Sequence, residues 1–127
     1  MNTGAKLFLS LGSLLALAAV VIGAFGTHGL KTRVSPEMLA VYQTGVQYHF
    51  YHALGIALVG LAFFHLPDTI VLRASGWLMS AGILLFSGSL YALALSGQKW
   101  LGAVAPIGGT AFILGWAAFA WAVIRTG

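Results

Sequence analysis

The chain has 127 residues, 60% of them hydrophobic and 6% Asp, Glu, Lys or Arg, with a formal net charge of +4 at pH 7. Soluble domains carry about a quarter charged residues; six basic and two acidic side chains cannot cover a water-exposed surface of this size, so the composition excludes an ordinary soluble globule and points to a protein embedded in lipid. Lys6, Lys31, Arg33, Arg73, Lys99 and Arg125 stand singly with no basic run, which excludes a nucleic-acid footprint, and the lack of cysteine excludes disulfides, thiolate nucleophiles and Cys-bound metal or iron–sulfur centres.

A helix needs about 20 apolar residues to cross about 30 Å of hydrocarbon. Four stretches meet that length, at residues 6–26, 42–65, 73–96 and 106–125, so the predicted fold is all-α: an integral membrane four-helix bundle forming a single transmembrane domain. The first stretch is longer than the apolar region of a secretory signal and reads as a helix that stays. Lipid tails are as apolar as Leu, so membrane helices pair through small residues and interhelical hydrogen bonds. Gly12, Ala16, Ala19, Gly23 and Gly26 fall within about 80° of helical arc and form a packing seam. In the connection at 27–41, Ser35-Pro36-Glu37 combines an N-cap, a first-turn proline and an acid, which starts the second helix near Pro36, ahead of the bilayer core at Tyr42. A tight polar turn at 66–69 leads to the third stretch, where Ser80, Ser87 and Tyr91 share one narrow face beside Gly88. The connection at 97–102 carries the interfacial Trp100, and the fourth stretch opens on Pro106, with Gly108, Ala111, Gly115, Ala118 and Ala122 as a second small-residue seam.

The polar residues concentrate at the start of the second stretch. His49 and His52 are three apart and share a helix face; Gln43 and Gln47 are four apart and share another, and Gly45 leaves room for a neighbouring helix. His28 ends the first stretch, and a connection that folds back returns it to the same membrane side. The candidate ligand-binding set is therefore His28, Gln47, His49, His52, Ser87 and Tyr91, with His28, His49 and His52 as candidate metal ligands, since imidazole suits Zn, Cu, Fe and Ni and also relays protons near neutral pH. The same residue types serve equally as interhelical hydrogen-bond partners. Tyr48, Tyr51, Trp77, Trp116 and Trp121 fit aromatic belts, and His65 fits an interfacial turn. No P-loop, nucleophile elbow or HExxH is present, and Glu37 and Asp68 fall on connections at opposite sides, so no enzyme signal appears.

Four ordered motifs carry a resemblance: Gly23-Ala24-Phe25-Gly26-Thr27-His28-Gly29-Leu30, Gln47-Tyr48-His49-Phe50-Tyr51-His52-Ala53-Leu54-Gly55, Phe86-Ser87-Gly88-Ser89-Leu90-Tyr91-Ala92-Leu93 and Pro106-Ile107-Gly108-Gly109. Together they closely resemble the small bacterial membrane family known as domain of unknown function 423, with the eukaryotic transmembrane protein 256 as an apparent relative. The resemblance covers almost the whole chain and implies a four-helix inner-membrane protein. It implies no activity, cofactor or catalytic residue. Thr27 departs from the family's pattern, standing where a small residue, often Ala, is expected.

Three functions compete. The first is a structural or accessory membrane subunit packing against itself, as a homo-oligomer, or against a larger complex in the lipid bilayer. The second is a binder of a metal, haem or lipid-soluble cofactor through the histidines. The third is a small transporter or channel component. With four spans, Lys6, Arg73 and Arg125 share one membrane side and Lys31, Arg33 and Lys99 the other, so the positive-inside rule has no grip, and the free amino terminus tips the termini to the cytoplasm.

Overall fold

The computed structural model describes residues 1–126, with Thr27 described through its backbone alone, so the departure noted at that position lies outside the described side chains. Every element among the described residues is helical. Helix α1 spans Thr3–Leu30, its final turn Gly26–Leu30 being π-helical; α2 spans Pro36–Ala62; α3 spans Ile70–Ser96, with a π turn at Ile83–Ser87; a 3-10 turn at Lys99–Ala103 leads into α4, Ala105–Ile124.

The helix ends follow from local chemistry. The Asn2 side chain accepts from Ala5 N at 2.7 Å to cap α1, and its Nδ2 donates to the Phe63 carbonyl at 3.1 Å, tying that start to the end of α2. Ser35 Oγ accepts from Met38 N at 3.1 Å, with Pro36 and Glu37 in the first turn, as the Ser-Pro-Glu signal predicts. Thr69 caps α3 through Leu72 N, which starts the helix at Ile70, ahead of Arg73. At the other end Gly97, at φ 72°, closes α3 in the left-handed conformation that glycine adopts without steric cost. The capping residues stand outside the apolar stretches, which is why α1 and α3 run longer than 6–26 and 73–96.

Among the described residues, three helical segments, Thr3–Leu30, Ile70–Ser96 and Lys99–Ile124, are long and apolar enough to cross a membrane. α2 has 27 residues, about 40 Å at 1.5 Å per residue, which is length enough; its histidines, glutamines and tyrosines lower its hydropathy below that of the other three. The four expected helices are present, and the second, which carries the polar cluster, is the least apolar of them.

α1 and α2 run antiparallel along their whole length. A methyl group on Gly12 would come within 2.7 Å of the Ala53 carbonyl oxygen and the Ala57 nitrogen, and one on Gly60 within 2.7 Å of Leu9 N. Gly4 meets Phe63, Gly23 meets Val46, and Gly26 lies under the Tyr42 ring. Ala19 is buried and Ala16 half-buried on the same seam. α3 and α4 pair similarly: Gly108 lies on the Phe86 backbone, and a methyl on Gly115 would sit 2.9 Å from Met79 Cγ. Between the pairs Phe8, Ile56, Leu72, Met79 and Val59 are fully buried. Phe8 stacks on Phe63 and meets Trp77 edge-on at 5.3 Å, with Gly76 leaving room for its ring. Outside, Leu14, Leu17, Val20 and Val21 of α1 and Ile113, Leu114 and Ile124 of α4 present an apolar surface, the kind that lipid covers.

Candidate functional site

Polar groups of α2 reach all three neighbouring helices. Tyr42 begins the series: its hydroxyl donates to the Ile22 carbonyl of α1 at 2.7 Å, while its ring covers Gly26 and lies 5.2 Å from the Tyr91 ring. One turn on, Gly45 has no side chain, so Tyr91 and Leu90 of α3 pack directly on the α2 backbone. The Gly45 carbonyl then accepts a hydrogen bond from Ser87 Oγ at 2.7 Å, with Ser87 fully buried. One turn further His49, also buried, is hydrogen-bonded through Nδ1 to the Tyr91 hydroxyl at 2.8 Å. The Leu15 carbonyl of α1 lies against this ring, although Nε2 is buried without closing a hydrogen bond. The tautomer protonated at Nε2 puts its proton towards that carbonyl, and the Tyr91 hydroxyl then donates to Nδ1.

His52 points elsewhere. Its Nδ1 donates to the Tyr48 carbonyl at 2.8 Å, which leaves Nε2 as the lone-pair nitrogen of the neutral ring, and the ring stacks on Phe112 of α4 at 3.5 Å between centroids. Tyr48, Phe86 and Trp116 complete an aromatic group around it. The two histidines of one face thus serve two interfaces, His49 reaching α3 and His52 reaching α4.

Of the six candidate ligand-binding residues, the structure brings His49 into contact with Tyr91, with Ser87 one helical turn away on the Gly45 carbonyl. It does not bring His28 to them. His28 is exposed in the π turn that ends α1, whereas His49 lies level with Leu15, about 20 Å away along the helix axis at 1.5 Å per residue. Among the described residues no three His, Cys, Asp or Glu side chains are grouped to hold a metal ion. Gln47 also stands apart, on the outer surface of α2. Ser80, expected on the face of Ser87 and Tyr91, instead donates to the Gly76 carbonyl of its own helix at 2.8 Å. The π turn between them holds one residue more than an α turn, and each residue of a helix rotates the face by about 100°. Sequence reasoning passed over Tyr42 as a mere marker of the bilayer boundary; its spacing to Gly26 across the connection is the one signal that could have paired them.

Beside this line runs an open groove between α1 and α2. Its apolar part, about 560 Å³, is lined by Ala19, Gly23, Val46, Phe50 and Tyr51 with Gln47 at its side, and its polar continuation of about 640 Å³ by Gln43, Thr44 and Gln47. In the turn before α3, Asp68 is gripped by Arg73 of the first turn of that helix, Nε on Oδ1 at 2.8 Å and Nη2 on Oδ2 at 2.7 Å, and this hydrogen bonding holds the Asp68 carboxyl below its usual range.

Comparison with known proteins agrees with the four motifs. The sequence signature of the family described as "Protein of unknown function (DUF423)" matches residues 22–109. The chain is 47% identical to the UPF0382 membrane protein YwdK of Bacillus subtilis (strain 168) over 120 residues, which are 94% of this chain and 98% of that protein. It is 42% identical to a UPF0382 membrane protein of Staphylococcus epidermidis (strain ATCC 12228) over 94% of this chain and 97% of the relative. It is 45% identical to the UPF0382 membrane protein SAB0533 of Staphylococcus aureus (strain bovine RF122) over 87% and 89% respectively. No solved structure matches.

Proposed function

We propose, for a chain that belongs to the DUF423 family of membrane proteins, that its role is structural: an accessory subunit that packs in the bilayer against itself or a larger complex. The observation that carries this reading is how the polar groups of α2 are used. Tyr42, His49 and the Gly45 carbonyl are hydrogen-bonded to α1 or α3, so the inward side of the polar cluster acts as a set of cross-links between helices. The groups left over, Gln43 and Gln47, look outward. A protein that fastens its interior with polar links and keeps two carboxamides on its outside is built to be joined.

In this reading α2 crosses the membrane with its neighbours, because it lies antiparallel to α1 from Gly4 and Phe63 at one end to Gly26 and Tyr42 at the other. The membrane is the cell's inner, plasma membrane. The termini face the cytoplasm with Lys6, Arg73 and Arg125. The test is native electrophoresis and size measurement after extraction in a mild detergent. The expected result is a particle heavier than one chain in its micelle. A single-chain particle with no co-purifying protein would reject the accessory role.

A second reading is favoured by the groove between α1 and α2: a lipid-soluble molecule lying along Ala19, Gly23 and Phe50 with Gln47 and Tyr51 as its polar contacts. Mass spectrometry of the extracted protein decides it, since such a molecule should be recovered at about one per chain.

A further inference from the structure

The outer face of α2 carries two exposed carboxamides, Gln43 and Gln47. Ser13 of α1 bonds the Leu9 carbonyl at 2.7 Å, Thr110 of α4 the Pro106 carbonyl at 2.9 Å, and Thr44 of α2 the Ala40 carbonyl, each within its own helix. Gln43 and Gln47 have no such recourse. Both are exposed, and neither hydrogen-bonds any described residue. Gln47 lies beside Ala19, Val20 and Gly23, well inside the apolar length of α1. A polar group at that depth is costly to leave without a hydrogen-bond partner; the face is incomplete without a covering surface that can hydrogen-bond.

The spacing of the face says what shape that surface has. Thr44, Gln47, Tyr51, Leu54, Leu58 and Leu61 are all exposed and follow one another at intervals of three and four, the repeat by which a helix keeps one seam towards a parallel partner. Tyr51, Leu54, Leu58 and Leu61 are each 48–50% exposed, so the seam is open over its apolar half as well as its polar half. No charged residue interrupts it. Copies inserted with the same orientation are related by an axis along the membrane normal, which sets their α2 helices parallel and places each seam residue opposite its own counterpart. A carboxamide is both donor and acceptor, so the surface that complements Gln47 is another Gln47, while Leu54, Leu58 and Leu61 meet themselves below it. Gln47 is the one carboxamide in that seam, and such a group fixes register and copy number.

We infer that this face is a self-pairing surface: two copies of the chain join through parallel α2 helices, with Gln47 hydrogen-bonded to Gln47 across the axis. The inference rests on the accessory-subunit reading and names its partner as a second copy. The absence of cysteine makes the test direct. Leu54→Cys, in the seam, and Leu17→Cys, on the apolar outer face of α1, are each introduced into the full chain and oxidised in native membranes. Leu54→Cys is expected to give a crosslinked dimer and Leu17→Cys to remain a single chain. Gln47→Leu in the Leu54→Cys background is expected to lower the crosslinked fraction, with a shift of roughly tenfold in the monomer–dimer equilibrium; Gln47→Asn, which keeps the amide, should lower it less. Equal crosslinking of Leu54→Cys and Leu17→Cys would mean random collision and overturn the inference. No crosslink at Leu54 in a protein that still runs as a heavy native particle would overturn self-pairing while leaving the accessory role intact, and a lipid-soluble molecule recovered from an uncrosslinked single chain would overturn both.

Discussion

The interface between α1 and α2 and the interface between α2 and α3 solve the same problem by different means. The first is made of absences. Gly12 and Gly60 remove side chains so that backbone meets backbone, and a methyl on either would come within 2.7 Å of main-chain atoms that cannot step aside. The second is made of bonds. Ser87 reaches the Gly45 carbonyl and Tyr91 reaches His49, with Gly45 again opening the space. Since hydrophobicity does not distinguish a helix from lipid, close approach supplies the attraction in the first interface, and directed hydrogen bonds supply the register in the second. The difference teaches that α2 is the hub of the bundle: Gly60 admits α1 and Gly45 admits α3, while Tyr42 bonds to α1 and His49 to α3.

The largest effect should come from filling an absence. Gly12→Leu or Gly60→Leu forces a side chain into a backbone contact and should cost about 3 kcal/mol or more, measured as a large drop in the melting temperature of the detergent-extracted protein. Gly88→Ala is the matched control, because a methyl there meets nothing within 4 Å, and its melting temperature should not fall. An unchanged Gly12→Leu would mean the two helices can part without loss, which would break the comparison at its first term. Gly23→Ala should lie between, since only the Val46 side chain, at 3.1 Å, must yield.

A smaller effect is expected from cutting a bond. Tyr91→Phe removes the hydroxyl from His49 and should cost about 1 kcal/mol, the usual scale for a hydrogen bond between membrane helices. The sharper measurement is the cycle with His49→Phe. If the bond is the link, the double variant should lose less than the two single losses added together; strict additivity would mean the two residues act apart.

The smallest effect belongs to the exposed turn outside both interfaces. Arg73 lowers the Asp68 carboxyl below its ordinary value by hydrogen bonding. A lowered folded value means that the carboxylate stabilises the folded state fully above the unfolded carboxylate range near about 3.9 and loses that contribution as pH falls through the folded value. The melting temperatures of the wild type and Asp68→Asn should therefore differ slightly and by a constant amount from pH 7 to pH 5, then converge in acid. A difference that widened in acid would reverse the sign of the argument.

Much of this architecture was legible because it rests on residue types with few alternatives. Ser35-Pro36-Glu37 announces a helix start, and the glycines of α1 and α4 fall at helical spacing, so their packing role could be read directly. That Ser87 and Tyr91 face the same neighbour could be read too, because the two are four residues apart. Ser80 could not be placed, for nothing in Ile83–Ser87 marks an extra residue in the turn; the π geometry satisfies packing against Gly108 and α2, which are distant in sequence. Nor could the fate of His28. Whether a connection folds inward or holds its histidine outside depends on where the facing helix stands in height, and periodicity is silent about height. The contacts that set it, Tyr42 with Ile22 and Val46 with Gly23, span the connection and appear only when the helices are assembled.

The polarity of α2 also bears on how such a chain is made. A segment carrying two histidines, two glutamines and several tyrosines is a poor candidate for leaving the translocation machinery unaided, since Tyr42 and His49 arriving alone in hydrocarbon lack the Ile22 carbonyl and Tyr91 hydroxyl they meet in the finished bundle. Its binding groove on α1 is ready first, because α1 precedes it in the chain and presents Gly12 and the Ile22 carbonyl to it. Biogenesis is thus expected to proceed by hairpin, α1 waiting at the exit until α2 emerges and the two entering lipid as a unit. Translation of α3 then completes the partnerships of His49 and Gly45, and the order of synthesis becomes the order of assembly.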